Sequence, residues 1–89
     1  MTCSRLQTLS DRYDQAEAAF LAAVRGHSDR ASLASAARSV ASAAESFNSE
    51  AWRKYHASEE DAWMPLEALT ERTEVLVELW SDLAAAHEA

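Results

Sequence analysis

The residues that build and punctuate β-sheet are nearly missing from this chain. It has no isoleucine, four valines, four threonines, one glycine (Gly26) and one proline (Pro65). Strands draw on β-branched side chains and their turns on Gly and Pro, so all-β and βαβ folds are excluded and an all-α fold remains. One cysteine, Cys3, cannot form a disulfide within the chain, which leaves the core without a covalent staple. No apolar run approaches the roughly 20 residues that a spanning helix needs, so no membrane segment is expected. Met1 to Gln7 is polar, without the apolar stretch of a secretory signal, and a cytoplasmic protein is the expectation. Basic side chains are scarce too: 8 against 15 acidic ones give a net charge of −7. Such a chain has little with which to displace counterions from a phosphate backbone, and direct nucleic-acid binding is not expected.

Alanine fills the space that larger side chains leave. Of the 89 residues 48% are apolar, yet 20 of them are alanine and 22 are Leu, Val, Met, Phe, Tyr or Trp. A chain of this length makes one helical domain, residues 1–89, which buries somewhat over about 60% of its unfolded surface. Three helices with roughly three apolar positions per heptad would want about 30 large core residues. A core this diluted is marginal for a lone chain, since a domain of this size supplies about 3–5 kcal/mol. A homo-oligomer is therefore expected, most simply a dimer that forms a larger helical bundle.

Three periodic segments support that architecture. Leu6, Leu9, Tyr13, Ala16, Phe20 and Ala23 alternate at spacings of three and four, the seam of an amphipathic helix. Ser4 with Gln7 reads as a capping box, and Gly26 as the C′ residue just past Arg25, so a helix over about 4–25 is predicted. Ser28 or Asp29 can cap a second helix, about 29–57, in which Leu33, Val40 and Phe47 recur every seven residues among alanines and serines. Its small side chains suit either filler or a closely spaced helix contact, within the chain or across a dimer. Glu50 and Lys54 are placed for an i,i+4 pair. Leu66, Leu69, Thr73, Leu76, Trp80, Leu83 and His87 give a third helix, about 65–87, started by Pro65. A start farther upstream would put the proline inside the helix at a cost of about 3 kcal/mol, so a connector is expected over 58–64. The expected fold is a small antiparallel three-helix bundle; its alternative is a hairpin whose second helix is kinked at Pro65.

The net acidity sits in one place. Residues 1–54 sum to +1 and residues 55–89 to −8. On the third helix Glu67, Glu71, Glu74, Glu78 and Asp82 fall on one ridge opposite the leucine seam, with Arg72 as the nearby cation. Such a ridge is either a solvated face or a docking surface for a basic partner. Val75, Val77 and Leu79 also lie outside the seam, so the apolar arc of this helix is wider than one neighbour needs. Trp52, Tyr55 and Trp63 form a candidate aromatic patch near the connector, either core or partner anchor. The Glu-x-x-His pattern of di-iron bundles is missing, because Val24, Arg53 and Ala84 stand three residues before His27, His56 and His87. His56 with Glu59 and Glu60 remains a weak metal candidate that a symmetric dimer could double into four ligands. No nucleophile stands beside a base, so no catalytic residue is assigned, no cofactor is expected, and the chain is read as a non-enzyme. The Trp-x-Gly turn of small WXG-type helical hairpins is lacking as well, since Trp52 is followed by Arg53 and Lys54. The function expected is a helical protein–protein interaction or oligomerisation module with an acidic C-terminal helix. The alternative is a metal or small-molecule site between subunits near Trp52, His56, Glu59 and Glu60.

Overall fold

The computed structural model describes residues 5–57 and 60–88, with the side chains of 60–65 outside that description. It is an all-α three-helix bundle of α1 (Arg5–Arg25), α2 (Arg30–Ala57) and α3 (Glu60–Glu88). The ends of α1 and α2 follow from local chemistry. Val24 and Ala23 offer carbonyls to the N–H groups of His27 (3.1 Å) and Ser28 (3.0 Å), the paired bonds of a Schellman motif. In that geometry Gly26 is the C-cap and keeps a helical bond to Ala22 (2.9 Å), while the left-handed C′ position falls on His27, φ 56°. The expectation that Gly26 is the C′ residue is thus off by one position, because the helix continues one residue past Arg25 before it unwinds. Asp29 begins α2 as its N-cap: its Oδ1 accepts the Ser32 N–H at 2.8 Å, and that bond holds its carboxyl below the ordinary value. The capping box at Ser4 lies outside the described residues.

The third helix starts earlier than expected. It begins at Glu60, five residues before Pro65, so the connector predicted over 58–64 is largely helix. A proline there forgoes one bond, to the carbonyl of Asp61, in the second turn. The kinked hairpin is not formed, since Pro65 belongs to α3 and α2 ends at Ala57.

The alanines of α2 make it the slim middle member. Ala34, Ala37, Ala41, Ala44 and Ala51 are buried beside Val40 and Phe47, and α2 packs against both neighbours. By contrast, among the described residues no Cα of α1 lies within 8 Å of one in α3. The wider gap between those two helices is filled by aromatic side chains. Phe20 meets Trp80 edge to face at 5.1 Å, and His87 at 6.1 Å; the Trp80 indole N–H donates to Tyr13 Oη at 2.9 Å. Burial pushes the Tyr13 hydroxyl above its ordinary pKa, with the Trp80 donation acting the other way.

Between α2 and α3 the close approach allows a polar clasp. Asn48 Nδ2 donates to Thr73 Oγ1 (2.8 Å) and to the Thr70 carbonyl (3.2 Å), and both threonines are buried. Arg38 reaches Glu88 at 2.6 Å farther along; both side chains are about half exposed, so this bridge contributes little.

The helices spread side by side. The molecule measures 47 × 26 × 14 Å with a radius of gyration of 14.6 Å, against about 12 Å for a compact chain of this length. Its alanine face is covered from within by α1 and α3. The alanines are therefore no ground for a second chain, and any case for self-association has to rest on other features.

Candidate functional site

Glu67, Glu71, Glu74, Glu78 and Asp82 lie on the outer side of α3, but they do not form a uniform solvated ridge. Glu67 is half-buried, whereas Glu71, Glu78 and Asp82 are exposed and make no salt bridge among the described residues. Glu74 reaches back to α2, where its Oε1 accepts the Trp52 indole N–H at 3.0 Å. That bond joins the acidic face to the aromatic patch, a link that spacing along the sequence does not reveal.

Trp52, Tyr55 and His56 pack on one another at the C-terminal end of α2. Trp52 stands edge to face with Tyr55 at 5.6 Å and stacks on His56 at 5.2 Å; Tyr55 and His56 are 5.4 Å apart. Trp63, the third member expected of this patch, has its side chain outside the described set. Of the three contacts one is stacked, one edge to face and one tilted, so the rings form a small cluster along about one turn of the helix. Of the metal candidates, His56 is exposed and stacked on Trp52, and Glu59 and the Glu60 side chain lie outside the described residues. Among the described residues no group of three or more His, Cys, Asp or Glu is placed to hold a metal ion.

Glu50 is the buried carboxylate among the described residues, its side chain 6% exposed. The i,i+4 pair expected with Lys54 is replaced by an i,i+3 bidentate one: Arg53 donates through Nε (3.0 Å) and Nη2 (2.6 Å). Arg5 of α1 adds a longer contact at 3.6 Å. The Arg53 hydrogen bonds hold the Glu50 carboxyl below its ordinary value, helped by the charge of Arg5 and Lys54 and opposed by desolvation. The bidentate Arg53 pair lies within α2 and the longer Arg5 contact crosses to α1, so this cluster reads as a tie between the two helices.

The feature that stands out is apolar. Val75 and Leu79 are 64% and 54% exposed, and with Glu78 and Asp82 they line a shallow depression of about 250 Å³. On the helical wheel they fall between the carboxylates and the half-buried Leu76 and Leu83, so apolar surface runs unbroken from the core to the acidic edge. Val77, the third apolar residue outside the seam, packs against the core. A second exposed pair, Leu21 and Val24 on α1, escapes the sequence pattern because Val24 continues the apolar side of the helix and gives no sign of being uncovered. No described helix is long and apolar enough to cross a membrane. No family model matches the chain, and no curated protein or solved structure matches it significantly.

Proposed function

We propose that this chain is a non-enzymatic helical interaction module of the cytoplasm that self-associates and docks a basic partner on the outer face of α3. The observation that carries this reading is the exposure of Val75 and Leu79 among Glu71, Glu78 and Asp82. An exposed apolar anchor with an acidic rim, in which Glu71, Glu78 and Asp82 outnumber the one cation Arg72, combines burial, which supplies affinity, with a field that selects oppositely charged partners. Solubility alone asks for the carboxylates and gives no reason for valine and leucine between them. Glu74 contributes less to docking, because the Trp52 indole already engages it.

The reading is tested by charge reversal of Glu71, Glu78 and Asp82 to Lys and, separately, by Val75→Ser with Leu79→Ser, each followed by recovery of complexes from cells. Both variants are expected to lose the same bound proteins while keeping wild-type helicity by circular dichroism. Unchanged complexes with either variant would show that the face is merely solvated.

A further inference from the structure

The connection between α1 and α2 is short, and its backbone is strained. Among the described residues His27 is the one non-glycine with positive φ, 56°, a left-handed conformation that a side chain with a Cβ holds at a cost. Nothing in residues 26–29 forbids a helix instead, since Gly26, His27, Ser28 and Asp29 include no proline. Each bond of the turn also has a helical counterpart. The His27 and Ser28 N–H groups, now on the Val24 and Ala23 carbonyls, would exchange those two acceptors, and the Ser32 N–H would leave Asp29 Oδ1 for the Ser28 carbonyl. The chain can therefore run as one helix over 5–57, with the left-handed residue relieved.

Straightening lifts α1 from the rest of the molecule, and α1 is the less tightly joined of the two outer helices. α2 and α3 approach closely and are fastened by Asn48 on Thr73 (2.8 Å) and Thr70 (3.2 Å), whereas no described Cα of α1 comes within 8 Å of one in α3. Without α1, however, Trp80 and the alanines of α2 lose the cover that Leu9, Tyr13 and Phe20 give them. Some α1 has to return. We infer that at high concentration it is the α1 of a second copy, so that two straightened chains exchange α1 and each completes the other's core. This rests on the self-association in the proposed function and is independent of docking at α3. The register allows it. Arg5 meets Glu50 within one chain, and the two residues lie almost equally far from His27, so antiparallel helices crossing at His27 re-form the same contacts between chains. A short connection under strain favours such an exchange, which calls on no new surface. Gly26, Ser28 and Asp29 are weak helix formers, which keeps the closed turn competitive and the dimer weak.

The test is to refold the chain from urea at about 10 μM and at about 1 mM and to sediment it. A dimer of twice the 9.8 kDa monomer should form at the higher concentration. Its architecture is read from spin labels on Arg12→Cys and Ser42→Cys, both exposed positions, in a Cys3→Ser background. These positions are thirty residues apart and nearly opposite each other on α1 and α2, whose axes pack about 8–10 Å apart in the monomer. In one continuous helix they are separated by about 45 Å. Labelled chain refolded in an excess of unlabelled chain should show the long distance in the dimer and the short one in the monomer. His27→Gly frees the closed turn of strain and weakens the open helix, so it should weaken the dimer about tenfold or more. Asp29→Ala removes a cap that only the closed turn uses and should strengthen the dimer roughly fivefold. Circular dichroism checks that each variant folds. A wild type that stays monomeric throughout overturns the exchange together with self-association. A dimer that keeps the short distance, or that responds to neither turn variant, overturns the exchange and leaves self-association standing.

Discussion

At the scale of single residues, one side chain holds a position that costs the fold something and another makes a bond that the fold needs. His27 takes a left-handed conformation, which an L-residue with a Cβ adopts at a penalty of about 1–2 kcal/mol and glycine adopts freely. His27→Gly is therefore expected to stabilise the protein by about 1 kcal/mol in urea unfolding, whereas adding a methyl at Gly26, whose φ is not positive, gains no such relief. An unchanged or lower midpoint for His27→Gly would mean that the turn is held by something other than backbone geometry. Tyr13 is the opposite case, a buried hydroxyl that the fold needs. Its loss in Tyr13→Phe strands the Trp80 indole N–H in the core, and a loss of about 1–3 kcal/mol is expected from the same measurement. Both arguments rest on one bond or one dihedral. Sequence suggested a helix stop near Gly26 because glycine is the usual C′ residue; which of two adjacent residues turns left-handed depends on how far the helix winds before it is capped.

At the scale of elements, α2 is defined by what it lacks. Ala44 is fully buried in the core, so Ala44→Leu forces extra heavy atoms into a filled interior. Overpacking of this kind costs about 1–3 kcal/mol, and an unperturbed melting temperature for Ala44→Leu would refute the close packing of the central helix. The other end of α2 is clamped to α1 through Glu50. Because its carboxyl is held below the ordinary value, its contribution is fully present above the unfolded value of about 4.5 and is lost as pH falls through the lower folded value. Glu50→Gln should therefore flatten the acid limb of a stability–pH curve below about pH 4.5, with wild type losing stability there faster than the variant. Parallel acid limbs would place the pH dependence elsewhere. For α3, the proline rule misplaced the start by five residues. That rule weighs the one bond the proline forgoes; it does not weigh the tertiary contacts along the rest of a 29-residue helix.

At the scale of the whole molecule, the spread of the helices has a direct readout. Small-angle scattering of the dilute monomer should fit a flat particle with the proportions 47 × 26 × 14 Å, and a cross-section of equal width and thickness would indicate a closed triangular bundle. The same openness explains why apolar surface continues from the core to the edge of α3. α1 and α3 are held apart, so side chains on the far side of each seam have no third neighbour to cover them. The diluted core, first a reason to expect a partner, proves to be satisfied within the chain. What stays uncovered is two apolar pairs, Leu21 with Val24 and Val75 with Leu79.

The number of helices, their class and their approximate extents were legible in the chain, because apolar spacing, cap residues and the scarcity of β-branched side chains act locally. So was the concentration of acid in α3. The route of Glu50 to Arg53 and Arg5, the bond from Trp52 to Glu74, and the burial of Val77 beside the exposure of Val75 were decided by the tertiary structure alone. A helix offers several faces of similar composition, and only the crossing of a neighbour determines which of them is covered.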